Sequence, residues 1–469
     1  MSEGRFSQVM TSEGSAAVAK PSLWLRARRV LPFLGPAFLV SVGYMDPGNW
    51  ATNILAGSAY GYSLLWILLL SNLMALLLQG LSAKLGVATG LTLAQAVRAN
   101  TRRSTSIFLW LTAEAAAIAT DLAEFLGAAL GFYILLGVPL LIAAVLTGII
   151  VFMILGLHRF GHRKVEIIII ALVAIVGLAF VYEVFITHPA WPEVGRGVAV
   201  PTFTNAAAIV AAVGMIGATV MPHNVFLGSH VVQARRKAED VGVGHKRLLK
   251  YAIIDLVVAL NIAWLINSAM VIMSAAAFGG TEVGDITFAH RILGPLFGNA
   301  SAFAFALALL AAGLSSSVTG TLAGQSIMEG FIGYRMSLWV RRSITMVPAI
   351  IAIAFFGSHS FEILVWSQVI LSLQLPFTIV PLIWLTAKTS LMGEYVNKPR
   401  TTAIASGVAA LILALNVELL LQVAQNIFSV EGISLLARFG TGTFVAGVGA
   451  FALLGGVAGY SLARRVRST

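Results

Sequence analysis

Runs of about 20 mainly apolar residues, the length that crosses the hydrocarbon core of a bilayer as a helix, recur about twelve times along this chain. They fall near 32–60, 63–86, 107–132, 138–157, 165–187, 205–233, 251–277, 297–322, 342–357, 361–387, 402–424 and 440–463. Between the last two, 425–439 reads as an interfacial segment. Only 10% of the residues are charged, where a soluble domain carries about a quarter. An all-α polytopic membrane protein is the fold class this demands, with about 12 (11–12) transmembrane helices.

Basic residues orient the spans, because cytoplasmic loops carry an excess of Lys and Arg. With the N-terminus inside, Arg159, Arg163, Lys164, Arg235, Arg236, Lys237, Lys246, Arg247, Lys250, Arg464, Arg465 and Arg467 all fall inside. Of 30 Lys and Arg, only Arg196, Arg291 and Arg438 fall outside. Both termini are therefore expected in the cytoplasm. The net charge of +11 is a topology signal and no nucleic-acid footprint, which would be a clustered solvent-facing patch. Residues 1–29 are polar and end in Arg26, Arg28 and Arg29, with no apolar core and cleavage site before them. The first span is expected to insert without processing, and 1–30 to form a disordered cytoplasmic tail. The chain has no cysteine, so thiolate metal sites and thiol catalysis are excluded. There is no paired His-Glu zinc motif on one helix and no nucleotide-binding glycine loop, which disfavours an enzyme.

Two spans break at their centres. The first holds Gly43-Tyr-Met-Asp46-Pro47-Gly48-Asn49, the sixth Gly217-Ala218-Thr-Val-Met221-Pro222-His223-Asn224. Proline removes a backbone donor and clashes with the preceding turn, and it pushes the residue before it out of the helical region. Each span is expected to unwind for a few residues and resume as a second half-helix, although membrane helices also tolerate simple proline kinks. Both breaks carry an asparagine two residues after the proline, at the same place in two five-span halves. An odd repeat length inverts the second half, and paired interrupted helices mark a transporter's midplane site. The division expected is 31–187 for the first repeat, 188–204 for an external loop, 205–390 for the second repeat and 391–469 for two further spans and a cytoplasmic tail.

Asp46 at mid-membrane costs roughly 2.5–3.5 kcal/mol on insertion scales, which makes it a functional candidate. A bound cation or a proton would offset that cost. Asn49 adds an amide oxygen one turn on. Met221 brings a thioether, a soft ligand that prefers transition metals to magnesium or calcium; the plainer alternative is a methionine filling core space. Carboxylate, amide oxygen, thioether and carbonyl together suit manganese, iron or cadmium better than zinc or magnesium. In the third span Glu114, Asp121 and Glu124 share one helical stripe, as the acids of a proton relay do; neutralisation by neighbouring helices is the structural alternative. His223 is read as serving either a proton relay, since histidine ordinarily titrates near neutral pH, or the hydrogen bonding of the break. Asn72, Gln79 and Asn267 read as interhelical hydrogen-bonding groups, Asp255 as interfacial, and Ser315-Ser316-Ser317 as a place of close helix approach.

With these motifs in place the chain resembles the Nramp family of divalent metal-ion transporters. Asp-Pro-Gly-Asn at 46–49 and Met-Pro-His at 221–223 carry the resemblance, supported by Gly-Ala-Thr-Val before Met221 and Thr120-Asp-Leu-Ala-Glu124-Phe-Leu-Gly. It runs from about 31 to 425. The resemblance implies a LeuT-like fold of two inverted five-helix repeats with broken first and sixth helices and extra C-terminal spans. It implies metal ligands at Asp46, Asn49, Met221 and the carbonyl of Ala218, with a carbonyl near Gly43 joining in the inward-facing state and Gln368 assisting. Relatives that move magnesium or aluminium lack the methionine. The third-span acids form the family's proton path, paired with arginines at Arg341 and Arg342; the order expected is Asp46, Glu124, Asp121, then the arginines. The family's second histidine falls at Gly228 here, and His230 lies about 200° around the helix from it. The function implied is import of manganese, also iron, with cadmium or cobalt as further ions, by alternating access coupled to protons. The metal is cargo, no cofactor is expected, and a monomer in a bacterial inner membrane suffices. The main rival is a sodium-coupled carrier of amino acids or other organic solutes on the same fold. A membrane sensor or channel is a second.

Overall fold

The computed structural model describes residues 40–157, 162–238, 244–280, 283 and 285–428. Among them nine helices are long and apolar enough to cross a membrane. The tail 1–30, the run 440–463 and most of 425–439 lie outside the described residues; 425–428 continue the preceding helix.

The first span is helical to Val42, tightens into a 3-10 turn over Gly43–Met45, and is interrupted at Asp46. It resumes as α1 (Pro47–Tyr60). Next come α2 (Leu65–Thr89), the short α3 (Leu93–Asn100), α4 (Arg103–Leu136), α5 (Leu140–Leu157) and α6 (His162–Thr187). After α7 (Trp191–Ala199) the sixth span appears as α8 (Ala206–Val220) and α9 (Pro222–Ala238). Then follow α10 (His245–Phe278), α11 (Ile286–Phe297), α12 (Asn299–Ile332), α13 (Leu338–Phe356) and α14 (Ser360–Ala387). The single turn α15 (Thr389–Met392) leads to α16 (Pro399–Phe428). With α5 and the first run, every expected span except 440–463 has its helix.

The two five-span halves match in order and form. Each begins with a broken helix. Each has a 34-residue third span, α4 or α12, and a short helix just before it, α3 or α11. Five spans separate the equivalents, so the second half is threaded inverted. The α4 and α12 helices pack closely through small residues. A Cβ on Gly313 would come within 2.7 Å of Ala128 Cα, and one on Gly131 within 2.7 Å of Leu310 Cα. The serine run beside Gly313 is fully buried, as close approach requires.

The broken helices lie inside this bundle. Trp50 on α1 has no accessible surface and meets Phe180 of α6 and Phe305 of α12 edge-on, with centroids 4.7 and 5.2 Å away. Large apolar side chains instead face outward on α6 and α13, where Phe185 and Phe355 are each 77% exposed; a bilayer is the solvent that accepts them. Asp255, on α10, is 1% exposed.

Candidate metal-ion site at the two breaks

Both prolines begin a half-helix, where a missing N–H costs nothing and the fixed φ suits the first turn. The residue before each is the one interrupted. Asp46 is extended (φ −68°, ψ 165°) and caps α1, its carboxylate accepting from the Asn49 backbone N–H at 2.9 Å. Met221 has φ 33° and ψ 106°, a conformation that is rare outside glycine and costs on the order of 1–3 kcal/mol. The second break is sharper than expected. Helix continues through Val220 and restarts at Pro222, so one residue absorbs the whole turn.

Asn49 joins the breaks. Its Nδ2 donates to Asp46 Oδ1 at 2.7 Å and to the Ala218 carbonyl at 2.9 Å. Ala218 lies in the last turn of α8, where carbonyls lack helical partners and the dipole favours a cation. Asp46, Asn49, Ala218 and Met221 have no accessible surface. Asp46 Oδ2 and Asn49 Oδ1 are buried without a hydrogen-bond partner, a deficit that an ion or a water would fill. Gln368, on α14, lies over Gly48, whose Cβ would overlap its amide, and its Oε1 is also unpartnered. Gly43 is placed against Asn224, which stands where a Gly43 side chain would go. Met221 packs with Ala119 and Leu371. Asp46, Asn49 and the Ala218 carbonyl are therefore brought together as hard oxygen donors, with Met221 at the second break three residues after Ala218. No cluster of three or more His, Cys, Asp or Glu is found among the described residues, so any cation here meets a mixed donor set.

Sequence reasoning placed Asn224 in the second break and gave it no role. Its Nδ2 lies 3.5 Å from Met221 Sδ. The signal was its spacing from Pro222, identical to that of Asn49 from Pro47.

The acids of α4 separate. Glu114 pairs with Arg341 at 2.7 Å and Asp121 with Arg342 at 3.3 Å. Arg342 also donates to Ser317 at 3.2 Å and lies over the Phe125 ring. Glu124 alone has both oxygens buried and unpartnered. Glycines of α12 make the room: a Cβ on Gly320 would stand 2.9 Å from Asp121 Oδ1, and one on Gly324 2.8 Å from Arg341 Cζ. His223 Nδ1 lies 3.2 Å from Thr120 Oγ1, tying the second break to α4. Pro47 packs on Gly127 of the same helix.

Of the interhelical polar residues, Asn267 and Gln79 hold the first break and Asn72 bridges α2 and α10. Asn267 donates to the Tyr44 carbonyl at 2.6 Å and accepts from Asn53 at 2.8 Å. Gln79 donates to the Tyr44 hydroxyl at 2.9 Å, and Asn72 to Asn261 at 3.2 Å. At Gly228 the space for a side chain is taken by Gln79 Oε1.

Two helices interrupted face to face inside an inverted-repeat bundle define a membrane transporter of the LeuT-like fold. A mutant of the manganese transporter of Eremococcus coleocola is similar in structure, with a TM-score of 0.79 and 33% identity over 96% of this chain and 98% of that one. The nucleobase-cation-symport-1 family transporter Mhp1 shares the fold at a TM-score of 0.56 and 13% identity, over 93% of each chain. The chain belongs to the Nramp family: the model described as natural resistance-associated macrophage protein-like matches residues 37–422. A relative from Verminephrobacter eiseniae, the divalent metal cation transporter MntH, is 48% identical over 84% of this chain and 90% of its own length.

Proposed function

We propose that the chain imports divalent transition-metal ions, manganese foremost and iron also, with protons as the coupled ion, by alternating access about the two breaks. The observation that carries this reading is the pair of orphan oxygens, Asp46 Oδ2 and Asn49 Oδ1, closed off from solvent beside the Ala218 carbonyl. A cation is what such a group lacks. Met221 gives the preference for a transition metal over calcium or magnesium, and Gln368 or a carbonyl near Gly43 completes the shell as the half-helices tilt. The relatives' names support the metal class.

Protons take a separate route. Asp46 exchanges its proton with Glu124, whose unpaired carboxyl lies next in line. Asp121 with Arg342, then Glu114 with Arg341, carry the path on. His223 supports the second break through Thr120. The repeats divide at 31–187 and 205–390, and the protein sits as a monomer in a bacterial inner membrane with both termini in the cytoplasm. The inside-negative potential then favours entry of each positive charge.

The test is manganese uptake into proteoliposomes from an acid exterior. Wild type is expected to accumulate manganese, Asp46→Ala to be inactive, and Met221→Ala to lose discrimination against calcium. A wild type that moves no transition metal overturns the reading in favour of an organic-solute carrier.

A further inference from the structure

The two breaks share a design that reaches beyond their prolines. In each, the residue before proline carries the donor atom, and the asparagine three positions later turns its amide back onto that side chain. Asn49 Nδ2 reaches Asp46 Oδ1 at 2.7 Å; Asn224 Nδ2 reaches Met221 Sδ at 3.5 Å. We propose that Asn224 is a positioning residue for Met221: its amide holds the thioether with one sulfur lone pair aimed between the breaks, and this sets discrimination between transition-metal and alkaline-earth ions. The inference rests on the metal-transport reading above.

Three observations carry it. Methionine has three rotatable bonds and adapts to its surroundings, and the apolar residues packed on Met221, namely Ala119 and Leu371, give the sulfur no direction. Asn224 supplies that direction from a fixed place. It is fully buried, and Gly43 is what makes room for it, since a Cβ there would stand 2.9 Å from Asn224 Oδ1 and 3.0 Å from its Cγ. Finally, Asn224 Oδ1 is buried without a partner, so the residue is not spent on stitching the break together as Asn267 is. A thioether has two lone pairs. The amide occupies one and leaves the other to an ion.

The test compares Mn2+ and Ca2+ binding to the purified full chain by calorimetry, for wild type, Asn224→Leu, Asn224→Ser, Met221→Ala and Asn224→Leu combined with Met221→Ala. Serine is the variant to rely on if leucine prevents folding, because its hydroxyl is too short to reach the sulfur. Both Asn224 variants are expected to lower the ratio of Mn2+ to Ca2+ affinity about tenfold, roughly 1.4 kcal/mol. Adding Asn224→Leu to Met221→Ala is expected to change that ratio no further, since coupled residues are non-additive. An unchanged ratio in the Asn224 variants overturns the proposal, and so does an equal loss in the Met221→Ala background. Those outcomes leave the transport reading standing. A wild type that binds no Mn2+, or a Met221→Ala variant that discriminates as wild type does, overturns the transport reading and this inference with it.

Discussion

The side chain of Asn49 donates to the backbone carbonyl of Ala218 across 2.9 Å, a bond between residues 169 apart in sequence. The two interrupted helices are thus tied directly, at the level of the candidate site. Asn49→Ala removes this bond and the side-chain bond to Asp46, leaving the buried Ala218 carbonyl without a donor while Asp46 Oδ1 keeps the backbone N–H of residue 49. A buried acceptor left so costs about 1–3 kcal/mol. The expected result is a lower melting temperature in detergent and weaker Mn2+ binding by calorimetry. An unchanged melting temperature would show that the bond contributes nothing.

Arg342 has no accessible surface, and its partner Asp121 is nearly as buried. Breaking a buried pair from one side is destabilising by about 3–5 kcal/mol, because the other charge stays behind. Arg342→Ala should therefore be poorly stable, and Arg342→Lys only partly better. A lysine lacks the planar fork that reaches Asp121 and Ser317 together. Thermal unfolding of the three proteins in one detergent decides the order; a lysine variant as stable as wild type would contradict it.

Gly320 gives Glu124 its place. A methyl group there would overlap the free carboxylate and stand 2.9 Å from Asp121 Oδ1. Gly320→Ala is expected to slow metal-driven acidification of proteoliposomes, read with a pH-sensitive dye, by about tenfold, within the range of an overpacking cost of roughly 1–3 kcal/mol. Mn2+ binding should stay near wild type. Equal losses in both would place the glycine's role in general packing.

At Gly228, a side chain would displace Gln79 and break its bond to the Tyr44 hydroxyl. Gly228→Ala should lower the melting temperature, with a cost of about 1–3 kcal/mol. In a Gln79→Ala background the same substitution should be close to neutral, a coupling that a double-mutant cycle measures.

The breaks were legible because proline and glycine act through the backbone alone. Pro47 and Pro222 needed no tertiary information to start their half-helices. The partition of the α4 acids was not legible. Glu114, Asp121 and Glu124 read as one stripe, and only the fold brings Arg341 to the first and Arg342 to the second, from more than 200 residues away. Helix ends were also misjudged. Hydropathy falls where lipid gives way to water, but backbone hydrogen bonding continues, so α4 runs from Arg103 to Leu136 where the apolar pattern marked 107–132. Asn224 was seen at its place in the break, but its role was not legible, for a different reason. Its partner is a sulfur, and polarity alone does not reveal what an amide will be pointed at.

The α4 helix touches both breaks, through Thr120 at His223 and Gly127 at Pro47, and carries the acids on the same 34 residues. Those two contacts lie about 10 Å apart along the axis. A helix is stiff over such a length, and Asp121 and Glu124 stand between the two contacts, so on the proposed function α4 is a common rail: cargo and coupling ion would share one stretch of one rigid wall. If the half-helices tilt as proposed, neither would swing without sliding on α4, and a small molecule wedged between α4 and either break would jam both lines at once.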